Sequence, residues 1–335
     1  MKYIAFVGID VSKEKLDFVV MVEGKKALHQ EVKNTPGQIR KFITTLLTRL
    51  KVSNDECLFC LEYTGIYGEP FLGVAETDGL FVWLENAREI IAFHGLSRDK
   101  NDAVDALRIA EYAFAKQYQI KLWEPPRAEI KELKRLLKFR KRLVDKRSQL
   151  QNAAKEEKGF CDAEWVNFHQ QSIKSITSKM SDLIKDLEKR IRKLIREDEL
   201  LKKLFDLISS VKGVGLIVAA HTIVVTNEFR LIKDPKKLAC HCGVAPFQKQ
   251  SGKSIKGRSK VSHRANKVMK TLLNLSARSA VGAKGELQDY YLRKVAEGKN
   301  KMAVMNAVRN KIIHRMFACV RDNRKYENIY VHNLA

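Results

Sequence analysis

Cysteine is scarce in this sequence, and its spacing builds neither a disulfide nor a zinc framework. The 335 residues include only 6 cysteines. Cys57 and Cys60 have Cys-x-x-Cys spacing, but they fall in a predicted strand, where residues three apart point to opposite faces. Cys240 and Cys242 have no second pair at zinc-finger spacing. We therefore expect buried, reduced thiols, as in a cytoplasmic protein.

Long apolar runs and internal repeats are also missing. No segment approaches the roughly 20 apolar residues of a membrane-spanning helix. The apolar run at residues 3–9 is too short for the core of a signal peptide. The sequence therefore predicts a soluble, cytoplasmic protein with no membrane partner.

What the sequence has in excess is positive charge. It carries 63 Lys and Arg against 39 Asp and Glu, a net charge of +24, while 45% hydrophobic residues are enough to fill a core. Residues 1–126 have 16 basic and 18 acidic side chains, residues 127–205 have 22 and 13, and residues 206–335 have 25 and 8. Such an excess is typical of a protein that binds a polyanion, and nucleic acid is the leading partner. The slightly acidic first segment would repel phosphates unless something bridges the two.

The first segment alternates between strand and helix patterns. Apolar runs at 3–9, 16–22 and 27–32 predict three hairpin strands, and Thr35-Pro36 predicts the start of a helix. Further strands are expected at 56–62 and 80–85, and a closing helix at 101–115. This order predicts a mixed α/β sheet and matches a ribonuclease H-like domain over residues 1–126, ending at two consecutive prolines.

The remaining segments are predicted to be mainly helical. Residues 127–205 read as a long, charged helical hairpin or coiled-coil arm, with a break near 159–168. The charged face of the arm either contacts DNA directly or is a solvated face over an ordinary bundle seam, and dimerisation through the arm is a further option. Residues 206–335 read as a C-terminal helical domain, with helices at 264–280 and 303–320 and a Gly/Ser/Lys-rich loop at 243–263.

Four carboxylates stand out in the first segment. Asp10 and Glu62 end two strands that are expected to be neighbours, and Asp102 and Asp105 lie three apart on the closing helix, so they point the same way. Four unpaired carboxylates at one mouth repel each other unless divalent cations neutralise them, and their hard oxygens favour Mg²⁺ or Mn²⁺. Two such ions about 4 Å apart suit phosphodiester chemistry.

A simpler interpretation of these acids stays open at this point. Asp10 and Glu62 are also explained as turn residues, and Asp102 as a helix-start carboxylate favoured by the helix dipole. The spacing leaves three nearby acids as competitors: Asp17, Asp99 and Glu111.

Two motifs in the basic C-terminal segment suggest contact with phosphates. The run VKGVG at 211–215 predicts a helix-hairpin-helix-like turn in which Lys212, Gly213 and Gly215 approach a phosphate, or else a plain interhelix turn. The cationic loop that follows offers Lys249, Lys253, Lys256, Arg258, Lys260 and Arg264 as phosphate contacts. Ser251, one of four serines there, is a candidate nucleophile if a metal site activates it; otherwise the loop only binds phosphate.

Taken in order, the motifs resemble a known family. GIDVSK at 8–13, EYTG at 62–65, KNDAVDA at 100–106, VKGVG at 211–215, and GVAP at 243–246 with QSG at 250–252 are similar to the DEDD insertion-sequence transposases, relatives of Piv-type DNA invertases and bridge-RNA-guided recombinases. The resemblance covers nearly the whole chain.

The resemblance implies a specific chemistry. It implies a RuvC-like domain in which Asp10, Glu62, Asp102 and Asp105 bind metal, and a C-terminal serine, Ser251, that becomes covalently linked to DNA. It also implies donor and target double-stranded DNA, a structured noncoding guide RNA, and a homo-oligomer, a dimer or tetramer, whose composite sites use both domains. We therefore expect a transposase or recombinase that joins strands through a phosphoserine intermediate.

Two other functions remain as alternatives. One is a metal-dependent Holliday-junction resolvase or nuclease that hydrolyses DNA with water and does not use the serine. The other is a non-catalytic architectural nucleic-acid binder, whose binding would fall steeply with salt and which would cleave nothing.

Overall fold

The protein divides into two compact units, Met1–Pro125 and Pro126–Ala335. The division falls between two consecutive prolines, within one residue of the first predicted boundary. No helix among the described residues is long and apolar enough to cross a membrane. The computed structural model describes residues 2–63, 65–95, 101–157, 159–247, 250–251, 255–256, 260–261 and 265–327.

A five-stranded mixed sheet forms the centre of the first unit. Its strands are β1 (Ala5–Val11), β2 (Lys15–Val22), β3 (Lys25–Lys33), β4 (Cys57–Glu62) and β5 (Phe81–Glu85). The spatial order is β3-β2-β1-β4-β5, with β1, β2 and β3 antiparallel and both β4 and β5 following the direction of β1. The three predicted hairpin strands are confirmed, and so is the expected pairing of the first strand with the fourth.

Helices cover both faces of this sheet. They are α1 (Pro36–Leu50), α2 (Glu69–Asp78), α3 (Ala87–His94) and α4 (Asp102–Ala115). Side chains alternate between the faces, so Ile9 packs in one core with α1 and α2, whereas Phe6 packs in another with α4. Cys57 and Cys60 belong to these two different cores, which confirms that they cannot bind an ion together.

The second unit is mainly helical, as predicted. Its helices are α5 (Ala128–Glu156), α6 (Ala163–Glu197), α7 (Glu199–Ser209), α8 (Leu216–Thr226), α9 (Pro235–His241), α10 (Lys267–Val281), α11 (Glu286–Ala296) and α12 (Lys301–Arg321). Helices α5 and α6 pack against each other as the predicted hairpin. The break between them is shorter than predicted, because the Asp162 side chain accepts a hydrogen bond from the Trp165 N–H and starts α6 early.

The base of the α5–α6 hairpin is part of the main core of this unit. Leu133 and Leu137 of α5 and Ile191 of α6 are buried in the same cluster as Leu273 and Ile312 of the C-terminal helices. Arg127 fixes this base, because its guanidinium donates hydrogen bonds to the Asp198 and Glu228 carboxylates.

The predicted cationic loop contains short strand pairs. They are β6 (Pro246–Phe247) with β9 (Lys260–Val261), and β7 (Gln250–Ser251) with β8 (Ile255–Lys256).

All six cysteines are free thiols, but Cys161 is exposed, so the expectation of uniformly buried thiols is wrong at that position.

Candidate active site

Asp10 and Glu62 lie side by side at the carboxyl ends of two parallel strands. The register pairs Gly8 with Cys60 and Ile9 with Leu61, so Asp10 and Glu62 each come one residue after the last pair. Alternation along the strands puts both acids on the sheet face that α4 covers. The strand order therefore brings together two carboxylates that are 52 positions apart in the sequence.

The first turn of α4 places two further carboxylates over the same face. Asn101 caps the helix, with its side chain accepting a hydrogen bond of 3.0 Å from the Ala103 N–H. Asp102 and Asp105 lie in the first turn, where the helix dipole favours negative charge. The predicted closing helix is confirmed. Because the two acids are three residues apart on it, their side chains point the same way.

Gly8 allows α4 to lie close against the sheet. A Cβ atom at this position would be 2.1 Å from the Ala106 carbonyl oxygen and 2.4 Å from the Ala110 nitrogen. Any side chain would push the helix, and its two acids, away from β1. The sequence motif contained this glycine, but its packing role becomes visible only in the structure.

The four carboxylates share one electrostatic field. Burial, together with the negative charges of Asp102 and Asp105, raises the pKa of Asp10 from 3.8 to about 6. The pKa of Glu62 is also raised, mainly by burial and then by the negative charges of Asp10 and Asp105. Asp10 is thus repelled by Asp102 and Asp105, and Glu62 by Asp10 and Asp105, so the structure brings the four sequence-predicted acids into one cluster.

Two cations partly neutralise this cluster. Lys15 Nζ lies 3.2 Å from Asp102 Oδ2, and Arg108 Nη1 lies 3.2 Å from Asp105 Oδ1. Over the described ranges, no three acidic, histidine or cysteine side chains are spaced as ligands of a single ion. By donor chemistry the set fits a hard divalent ion, because every potential ligand atom is a carboxylate oxygen.

Asp17, a competitor in the sequence, is a buried neighbour of the cluster. It pairs with Asp10 across the β1–β2 ladder and adds to the rise in the pKa of Asp10. Its carboxylate lies 3.1 Å from Lys15 Nζ and 2.9 Å from His29 Nε2. The Lys15 ammonium and the His29 ring nitrogen explain why this acid tolerates burial, with a side chain only 2% exposed.

The remaining competing acids have other surroundings. Glu111 lies 3.7 Å from His94 Nδ1, and Asp99 falls outside the described residues. Glu85, which the sequence reasoning overlooked, ends β5 beside Glu62. It accepts hydrogen bonds from the Tyr112 hydroxyl at 3.1 Å and the Asn86 N–H at 2.7 Å, so its oxygens already have protein partners.

The VKGVG run forms the turn between α7 and α8. Gly213 has a positive φ of 88°, and a Cβ there would lie 2.4 Å from the Ser276 carbonyl oxygen, so packing against α10 accounts for this glycine. The Lys212 ammonium donates to the Lys284 carbonyl. Gly215 precedes α8, and a Cβ at Gly215 would have no neighbour within 4 Å, which leaves the start of that helix open.

The candidate nucleophile lies in the short strand β7. Ser251 pairs with Ile255 of β8, Lys256 belongs to β8, and Lys260 belongs to β9. The side chains of these three candidates lie outside the described residues. The other predicted contacts, Lys249, Lys253, Arg258 and Arg264, also lie outside them.

Two family models match the chain. A model of IS110-type DEDD enzymes, described as "Transposase", matches residues 7–156, and a model described as "Transposase IS116/IS110/IS902 family" matches residues 205–292. The first range contains all four carboxylates of the cluster. The second contains the VKGVG turn and Ser251.

Full-length relatives are DNA-inverting proteins by name. The pilin gene-inverting protein of Moraxella lacunata is 25% identical over 330 residues, 96% of this chain and 97% of the relative. That of Moraxella bovis is 25% identical over 331 residues, again 96% of this chain and 97% of the relative. An uncharacterised 43.6 kDa protein of insertion element IS110 from Streptomyces coelicolor is 31% identical over 121 residues, 36% of this chain and 30% of the relative.

Proposed function

The chain belongs to the IS116/IS110/IS902 family of transposases, and we propose that it moves DNA by strand exchange at the Asp10–Glu62–Asp102–Asp105 carboxylate cluster. As an enzyme it is a DNA transposase or recombinase. The observation that carries the proposal is the convergence of Asp10 and Glu62, at the ends of the paired parallel strands β1 and β4, with Asp102 and Asp105 in the first turn of α4, an arrangement in which the carboxylates repel one another. A folded unit that keeps such repulsion on one sheet face gains stability from a cationic ligand there.

The first unit is proposed to be a ribonuclease H-like, RuvC-like domain that holds divalent metal. The strand order β3-β2-β1-β4-β5 and the position of the four acids support this assignment. The four carboxylates would hold Mg²⁺ or Mn²⁺, with two ions as the proposed number. When bound, such ions withdraw charge from a scissile phosphate and stabilise the oxygens that enter and leave.

Ser251 is the proposed nucleophile. Its Oγ forms a bond to the phosphorus of a DNA phosphodiester while the bond to the leaving DNA oxygen breaks. The serine proton passes to solvent or to a carboxylate, and the leaving DNA hydroxyl takes up one proton. A DNA hydroxyl then attacks the phosphoserine, which restores the serine and joins a new pair of strands without any external energy source.

The basic second unit is proposed to bind the nucleic acids. Its residues 206–335 have 25 basic and 8 acidic side chains, so this unit attracts phosphates more strongly than the first unit does. Lys212, Gly213 and Gly215, with the lysines and arginines of the cationic loop, would contact donor and target DNA. A structured noncoding guide RNA, a dimeric or tetrameric assembly with composite sites, and a cytoplasmic location complete the proposal.

The covalent step has a direct test. Wild-type protein, Ser251→Ala and the control Ser254→Ala are incubated with Mg²⁺ and element-end DNA, denatured, and examined for a protein–DNA adduct. We expect the adduct with the wild type and with Ser254→Ala, and its loss with Ser251→Ala. DNA cleavage by Ser251→Ala at the normal rate would contradict the nucleophile and favour hydrolysis by water, as in a resolvase or nuclease.

The metal assignment is tested separately. Asp102→Asn is compared with Glu111→Gln, which removes the same charge from an acid of the same helix that lies beside His94. We expect Asp102→Asn to lose Mg²⁺-dependent cleavage by at least about 100-fold, in line with the usual cost of removing a ligand or its support. Undiminished cleavage by Asp102→Asn would contradict the assignment of this acid.

A further inference from the structure

The Lys15 ammonium connects three carboxylates from three different elements. Its Nζ lies 3.0 Å from Glu31 Oε1 on β3, 3.1 Å from Asp17 Oδ2 on β2 and 3.2 Å from Asp102 Oδ2 on α4. An ammonium has three hydrogens, so each one has a carboxylate partner. Lys15 therefore ties the first turn of α4 to strands β2 and β3 of the sheet.

The three partners differ in how much they need this cation. Asp17 is only 2% exposed and keeps His29 as a second partner, so it anchors Lys15 from the sheet side. Asp102 is 51% exposed, which leaves it free to exchange Lys15 for another cation. Of the three acids, only Asp102 belongs to the proposed metal-binding set.

We propose that Lys15 is a built-in counter-ion of the carboxylate cluster, which holds Asp102 in the free protein, gives it up to the divalent ion, and thereby lowers the affinity for that ion. This inference rests on the proposed metal-binding function. Lys15 is a positioning residue, because it acts on the ion through Asp102 and through its own charge.

The direction of the effect follows from charge alone. Removing Lys15 frees an oxygen of Asp102, deletes a positive charge near a doubly charged ion, and leaves the Asp17 and Glu31 carboxylates less neutralised. All three changes strengthen cation binding. Even in a water-like medium, the repulsion between a unit charge and a nearby double charge corresponds to about a tenfold change in affinity.

Calorimetric titration of the full-length protein with Mn²⁺ tests the proposal. We compare the wild type with Lys15→Gln, with Lys15→Arg, which keeps the charge, and with Lys26→Gln, which removes the same charge from an exposed position of β3. We expect Lys15→Gln to bind Mn²⁺ about tenfold more tightly, and both controls to stay within about twofold of the wild type. Unchanged or weaker binding by Lys15→Gln would overturn the role of Lys15.

A second measurement needs no substitution and decides the matter if Lys15→Gln does not fold. Wild-type protein is acetylated with and without saturating Mg²⁺, and labelling of Lys15 relative to Lys26 is measured by mass spectrometry. We expect Mg²⁺ to increase the relative labelling of Lys15 severalfold, because the ion takes one of its carboxylate partners. An unchanged ratio would refute the displacement.

The outcomes also separate this inference from the proposed function. If the wild type and Asp10→Asn bind Mn²⁺ equally weakly, the carboxylate cluster is not a metal site and the proposed function fails. If the wild type binds Mn²⁺, Asp10→Asn does not, and Lys15→Gln behaves as the wild type, only the role of Lys15 fails.

Discussion

Replacing Asp10 by asparagine is expected to stabilise the first unit while it weakens binding of divalent ions. The pKa of Asp10 rises from 3.8 to about 6 through burial and the charges of Asp102 and Asp105. A shift of this size would cost about 3 kcal/mol at neutral pH if no solvent screened it. Because Asp10 is only half-buried, we expect Asp10→Asn to raise the free energy of unfolding by about 1–2 kcal/mol.

The pH dependence of this effect has a defined sign. Below pH 3.8 the carboxyl group is protonated in both the folded and the unfolded chain, so the penalty is absent. It develops as the pH rises, and it is complete once the pH exceeds the folded pKa of about 6. The wild type should therefore lose stability as the pH rises from 3.8 to about 6. Asp10→Asn lacks this carboxyl group and should not show that loss.

Tryptophan fluorescence provides the assay. The chain has 3 tryptophans, and Trp165→Phe leaves only Trp83 and Trp123, both in the first unit. Urea unfolding of this variant, with and without Asp10→Asn, gives the midpoints at pH 7 and pH 4. We expect Asp10→Asn to unfold at higher urea at pH 7, with a much smaller difference at pH 4. Equal midpoints at pH 7, or a difference that does not depend on pH, would refute the reasoning.

Two additions sharpen this experiment. Asp55→Asn is a control of opposite sign, because the Ser53 hydroxyl donates to the Asp55 carboxylate at 2.6 Å and lowers its pKa, so this substitution should destabilise the unit at pH 7. Mg²⁺ should stabilise the wild type, since a ligand that binds only the folded state adds to its stability. It should have little effect on Asp10→Asn.

Two further substitutions probe the supports of each unit. Gly8→Ala should destabilise the first unit by at least about 2 kcal/mol and abolish Mn²⁺ binding, because the added Cβ atom would clash with α4. Gly73→Ala is the control and should have neither effect, since its Cβ atom would have no neighbour within 4 Å. Urea unfolding and calorimetry measure both. Arg127→Ala should cost the second unit about 3 kcal/mol, because the buried Glu228 carboxylate keeps only the longer ion pair with Arg230, at 3.6 Å. The exposed Arg321→Ala should change little. Circular dichroism in urea measures both variants, and equal losses of stability would contradict this reasoning.

The parts of the first unit that the sequence predicted correctly depend on local patterns. Strand alternation put Asp10 and Glu62 at strand ends, and helical spacing put Asp102 and Asp105 on one side of α4. The pairing of β1 with β4 followed from the order of the elements. These patterns predicted the cluster, but they left the simpler roles of turn residues and a helix-start carboxylate open, and the family resemblance decided between the two interpretations.

The parts that it missed depend on contacts between distant residues or on short elements. Lys15 contacts Asp17 of its own strand, Glu31 of β3 and Asp102 of α4, and no spacing within the sequence encodes the last two contacts. Helices α3 and α9 have 8 and 7 residues, too few for a clear helical period. The strands β6 to β9 have 2 residues each and therefore no alternation to detect.

The division of charge along the chain connects stability with chemistry. A net charge of −2 in residues 1–126 is small. The raised pKa values of Asp10 and Glu62 show, however, that negative charge is concentrated at the carboxylate cluster, where it destabilises the folded protein. An asparagine would remove this cost at once, yet the same negative charge is what attracts a divalent ion. Lys15 lies between these demands, because it reduces the repulsion at Asp102 without removing the carboxylate. If the proposal is correct, Lys15 holds Asp102 in the free protein until a divalent ion displaces it, and the basic second unit would attract the phosphates that the acidic first unit repels.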